Sequence, residues 1–133
     1  MEESKFRFLG YRISKIECII EDNFDIKKNI FDQSIQVQIK YDKDDDCFVE
    51  VVLNIDVKSS DKAFSFFMII KGGFKREKDM PTELFYVMAR QNAPAILFPF
   101  ARAIITSYTA QANIPPVILP LVNFTGQNQE KED

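Results

Sequence analysis

The chain has no histidine and no tryptophan, and its 133 residues include only four glycines and two cysteines. Without histidine, the commonest general base of enzyme sites is missing. No Gly-x-Ser-x-Gly elbow, phosphate-binding glycine loop or Cys-x-x-Cys pair occurs. Neither catalysis nor a bound cofactor is therefore expected. Cys18 and Cys47 fall in separate strand-like segments. With no secretory leader, such a distant pair reads as buried, reduced thiols of a cytoplasmic protein. No apolar run reaches the roughly 18 residues of a membrane span, so direct membrane insertion is not expected. The net charge of −3 lacks the clustered cations that a nucleic-acid partner needs.

What is abundant is phenylalanine, with 13 copies beside 4 tyrosines, in a chain that is 46% hydrophobic. Ile35, Val37, Ile39 and Tyr41 alternate with Gln36, Gln38 and Lys40, and Val49 to Val57 repeats the pattern. Each run describes a strand with one buried and one wetter face, and the acidic stretch Asp42–Asp46 makes them a hairpin. Upstream, Lys5 to Glu21 reads as one long or bent strand, followed by a loop from Asp22 to Gln33. Downstream, Ala63 to Lys71 reads as a strand that Gly72-Gly73 ends. Pro81-Thr82-Glu83 then opens a helix, with Leu84, Phe85, Val87 and Met88 on its apolar face.

Pro94 and Pro99 are expected to break helix continuity. A new helix then starts after Pro99, with Ala101, Ile104, Ile105, Tyr108 and Ala112 on its apolar stripe. Arg102, Thr106, Thr109 and Asn113 fall on the opposite side. The expected architecture is α+β: a four-stranded antiparallel sheet packed on C-terminal helices. A single domain covers residues 1–125, and the acidic tail 126–133 is expected to be disordered.

Asp42, Asp44 and Asp46 have the spacing that opens a calcium loop. Cys47 stands where that loop needs glycine, and Leu53 where it needs a bidentate glutamate. No metal site is therefore expected, and the cluster reads as a solvated hairpin tip. The fourth strand is more unusual, because Phe64, Phe66, Met68 and Ile70 form a wholly apolar face while Phe67 and Ile69 lie on the other. A subunit contact, a surface for apolar client segments, or burial on both faces of one subunit would each account for it. Together with Ile35, Val37 and Ile39, these four residues form the expected client surface or core.

Several of these segments resemble one family. The run Pro94-Ala95-Ile96-Leu97-Phe98-Pro99-Phe100-Ala101-Arg102, continued by Ile105-Thr106-Ser107, looks like the helical signature of the SecB-type protein-export chaperones. Leu119-Pro120-Leu121-Val122-Asn123-Phe124 resembles their closing segment, and Gly72-Gly73 after an apolar strand also matches. The resemblance implies an ATP-independent holdase in protein export. It would bind unfolded preproteins, assemble as a homotetramer (a dimer of dimers) and pass clients to SecA. By the same likeness, Phe98, Arg102, Ile105 and Tyr108 would make the subunit contact, and Glu17 and Glu21 would contact SecA. The family's third acidic position falls on Met68, with Phe66 at the neighbouring apolar position, so one charge of the SecA contact is lost. By that likeness, the family's second long helix is not expected after Phe124. A divergent chaperone dedicated to one partner, such as an antitoxin, is the close variant. A non-chaperone adaptor or structural subunit is the rival.

Overall fold

In a computed structural model, the described residues are 5–124 together with the backbone of 130–132. Four strands, β1 (Phe6–Ile20), β2 (Phe31–Tyr41), β3 (Phe48–Ser59) and β4 (Phe64–Arg76), form an antiparallel sheet in the order β1-β4-β3-β2. A short segment β5 (Glu130–Glu132) adds to β2 in parallel at Val37–Ile39. The rest of the tail expected to be disordered lies outside the described residues. Two helices, α1 (Thr82–Gln91) and α2 (Ala93–Gln111), cover one face, giving the expected α+β architecture. That inner face carries the alternating apolar residues of β2, β3 and β4, all packed into one core.

The sheet departs from the sequence expectation at Gly72-Gly73, which do not end β4. The strand runs on to Arg76, and its last residues pair with the start of β1. Gly72 is there for close approach: a Cβ on it would lie 2.5 Å from Cδ2 of Leu97, a fully buried side chain of α2. The glycine lets the helix settle onto the strand. Its partner strand β1 carries two bulges, between Phe8 and Gly10 and between Ile13 and Lys15, with Gly10 at φ +120°. These bulges produce the bend that the sequence suggested.

The helices also differ from expectation. Pro94 occupies the first turn of α2, where a helix leaves its N–H groups without partners anyway. Pro99 sits inside the helix, which nonetheless continues to Gln111. An interior proline costs about 3 kcal/mol. Burying Leu97, Phe98, Ala101 and Ile105 on either side of it outweighs that cost, at roughly 1.5–3 kcal/mol for each large side chain. The buried stripe of α2 is Leu97, Phe98, Ala101, Ile105 and Thr109, so Tyr108 and Ala112 of the expected stripe turn out to solvent. In α1 the buried residues are Phe85 and Ala89, whereas Leu84 and Val87 stay exposed.

After α2 the chain returns along the helix as an extended strap, residues 114–124, with Val117, Leu119 and Phe124 buried. Polar side chains of α2 hold it in place, among them Thr109, which the sequence set on the polar side but which is fully buried. Arg102 Nε donates to Leu119 O at 3.0 Å, and Thr106 Oγ1 donates to Val117 O at 2.9 Å. Thr109 Oγ1 accepts from Val117 N at 2.9 Å while donating to Ile105 O at 2.8 Å. Phe98 meets Phe124 edge-on, with ring centroids 5.7 Å apart. At the far end Arg76, itself buried, donates to the carbonyls of Asp46 and Met80 and pairs with the Asp46 carboxylate at 3.1 Å. This guanidinium ties the β2–β3 hairpin tip to the start of α1.

Two substitutions test this packing. Gly72→Ala should lose about 1–3 kcal/mol in urea unfolding by overpacking against Leu97, and adding Leu97→Val should recover part of it. Thr109→Val leaves the Val117 N–H buried without an acceptor. It should cost about 1–3 kcal/mol and speed amide exchange along the strap; unchanged exchange there would remove Thr109 from its anchoring role.

Candidate functional site

The seven residues expected as client surface or core all lie in the interior. Ile35, Val37, Ile39, Phe64, Phe66, Met68 and Ile70 are each at most 7% exposed and point toward the helices. They belong to the core of this fold, and Ile35 also lines a cleft beside β2. The match of Phe66 and Met68 to a SecA-contacting face is corrected for the same reason. Met68 faces the core, so a glutamate there would bury a charge. The β4 positions that share the outer face with Glu17 are Phe67, directly opposite it, and Ile69. Glu17 is exposed and its carboxylate pairs with Lys15 at 3.1 Å. Glu21 is exposed one residue beyond β1, where its backbone N–H donates to Ala63 O.

The expected subunit contact divides in two. Phe98 and Ile105 are buried inside the chain, so their contacts are internal. Arg102 holds the strap. Tyr108 is 40% exposed and its ring meets Phe66 edge-on, which leaves it accessible to a partner. The thiols of Cys18 and Cys47 are free and half-buried, where the sequence suggested full burial. Partial burial pushes the Cys18 thiol above its usual range and makes it a poor nucleophile.

At the hairpin tip, Asp45, Asp46 and Cys47 bring their ligand atoms within 4.8 Å of one another. Local structure accounts for the grouping. Asp45 Oδ1 accepts from Cys47 N, Asp42 Oδ1 accepts from Asp44 N, and Asp46 pairs with Arg76.

The feature best suited to hold another chain lies at the β2 edge of the sheet, and of its lining the sequence singled out only Ile35 as client surface. A cleft of about 420 Å³ runs between Gln33, Ser34 and Ile35 on β2 and residues 121–124 of the strap. Among the described residues, β5 pairs with this edge of β2 at Val37–Ile39, and no described strand pairs with the stretch before it. Gln33 Oε1 is buried there with no hydrogen-bond partner, and Leu121 stands 79% exposed on the rim. The lining offers backbone and amide hydrogen bonds beside apolar area, and it contains no ionisable side chain. Alternation in β2 could not reveal this cleft, because it depends on where the strap lands.

The description "Preprotein translocase subunit SecB" matches residues 22–132. An uncharacterized protein of Methanocaldococcus jannaschii is 31% identical over 96% of this chain and 84% of its own length. The protein-export protein SecB of Rhodopseudomonas palustris is 32% identical over 74% of this chain and 63% of its own. For SecB of Bartonella quintana the values are 33%, 62% and 53%. The chain thus spans between about half and two thirds of those two export proteins. In fold it is similar to the Mycobacterium tuberculosis Rv1957 SecB-like chaperone, solved in complex with a ChAD peptide from the Rv1956 HigA1 antitoxin. The TM-score is 0.75 at 14% identity, over 89% of this chain and 91% of that one. The matched family description covers most of the sequence, and the sheet-and-helix architecture agrees with it: the chain belongs to the SecB family.

Proposed function

We propose that the protein is an ATP-independent holdase that captures non-native segments of other chains in extended form, in protein export. The single observation that carries this reading is the cleft beside β2, where, among the described residues, no strand pairs with the edge before Val37, Gln33 Oε1 has no partner and Leu121 is exposed. An extended client could add hydrogen bonds to the edge and lay apolar side chains against the strap, a recognition mode that tolerates many sequences. Binding only the unfolded form shifts a client's equilibrium by mass action and needs no nucleotide. The reading includes a cytoplasmic location, no catalytic activity, and self-assembly in which Tyr108 contributes to the contact between copies. SecA would meet the outer face at Glu17 and Glu21.

A second reading, a chaperone dedicated to one partner such as an antitoxin, is favoured by two observations. The fold is similar to a SecB-like chaperone solved with an antitoxin peptide. On the outer face, Phe67 and Ile69 flank Glu17 where a further acidic group would strengthen a SecA contact.

Suppression of aggregation separates these readings. A general holdase should slow aggregation of several unrelated unfolded proteins, and a dedicated chaperone only that of its client. An adaptor would slow none. Leu121→Asp should weaken suppression several-fold with an unchanged melting temperature; full activity in that variant would sink the β2 cleft as the client site. In light scattering, Tyr108→Asp should lower the mass of the assembly, and an unchanged mass would remove Tyr108 from the contact.

A further inference from the structure

The outer face of the sheet, away from the helices, carries a second concavity. It is a trough of about 360 Å³ where β1, β4 and β3 lie side by side. Glycine makes its floor. A Cβ on Gly73 would sit 3.3 Å from the Phe48 ring and 3.7 Å from Leu9 Cβ, so those two side chains wall the space that Gly73 leaves empty. Gly10, in the β1 bulge at φ +120°, has open space where a side chain would project. Leu9, the bulge residue, is 53% exposed and is held at the rim by the bulge geometry.

The charge around this trough is one-sided. Arg12 and Lys71 face each other in register across the β1–β4 ladder, and both line the trough. Lys75 follows on the same face, in register with Phe48. Among the described residues, none of these three cations forms an ion pair, although Arg7 and Lys15 nearby do. The opposing carboxylate is Glu50, which is also without an ion pair there. Like charges directly opposite on a sheet repel. An incoming anion between Arg12 and Lys71 would relieve that repulsion and accept hydrogen bonds from both.

We propose that this trough docks an acidic, apolar-anchored peptide segment of a partner protein. A carboxylate would settle between Arg12 and Lys71, and a neighbouring apolar side chain would lie over Gly73 between Leu9 and Phe48. The commitment to an acidic partner follows from charge complementarity: Arg12 and Lys71, both without an ion pair among the described residues, line the trough against the single carboxylate of Glu50, with Lys75 further along the same face. The site lies on the opposite face of the sheet from the helices, so it is independent of the client cleft beside β2.

The test uses the full chain and a short fluorescent peptide with two glutamates followed by a phenylalanine, titrated by fluorescence anisotropy. Saturable binding that weakens with salt is expected. Lys71→Glu or Arg12→Glu should each lose about tenfold, the scale of one charge-assisted hydrogen bond. Leu9→Ser should also weaken binding, and a peptide with lysines for the glutamates should prefer Lys71→Glu over the unaltered protein. Aggregation suppression should stay unchanged in all three variants, so failure here and failure of the holdase reading are distinguishable. If Lys71→Glu fails to fold, the exposed Arg12→Glu carries the same test. Absence of saturable binding, equal affinity in the charge variants, or equal affinity for a peptide with serine in place of phenylalanine would each overturn the proposal.

Discussion

The fold depends on how closely α2 can lie against the sheet. Leu97 rests where a side chain on Gly72 would otherwise be, and that contact sets the separation between the two layers. At this distance the phenylalanines and β-branched residues of β3 and β4 share one core with Phe85, Leu97, Phe98 and Ile105. A single methyl at Gly72 would tilt or lift the helix. The strap that leans on α2 would shift with it.

This closeness decides where binding can occur. With the inner face sealed, the apolar side chains that dominate the composition are already used to hold the chain together. What remains for other molecules is on the periphery: the cleft between β2 and the strap, the exposed flank of α2 around Tyr108, and the outer face of the sheet. Under the proposed holdase reading the core need not open, because the cleft beside β2 and the exposed Leu121 would serve as the client surface.

Much of the architecture was legible in the sequence. Alternation in Ile35–Tyr41 and Val49–Val57 marked β2, β3 and their inner faces, because a period of two has one structural meaning. The helical run and the Val-Asn-Phe close carried the family likeness. Other features were less readable. Gly72-Gly73 looked like a strand end, since nothing local distinguishes a turn glycine from one that accommodates a helix formed much later in the chain. Pro99 looked like a break, because its local cost is visible in sequence while the tertiary burial that offsets it is not. Client surface and core could not be told apart in the sequence for a related reason: an apolar strand face looks the same whether the chain's own helix or a foreign segment covers it. The roles of Arg102, Thr106 and Thr109 could have been glimpsed. Three hydrogen-bonding side chains on one flank of a helix, followed by an extended proline-rich segment, are a plausible set of anchors for that segment.

The two bulges in β1 have a bearing on solubility. Strand β1 lies at the sheet margin, where fifteen residues of regular backbone would form a long template for runaway stacking. Interruptions at Leu9 and Ser14 divide that margin into short stretches with mismatched spacing. A protein so rich in phenylalanine can thereby tolerate an open margin without seeding fibrils from it.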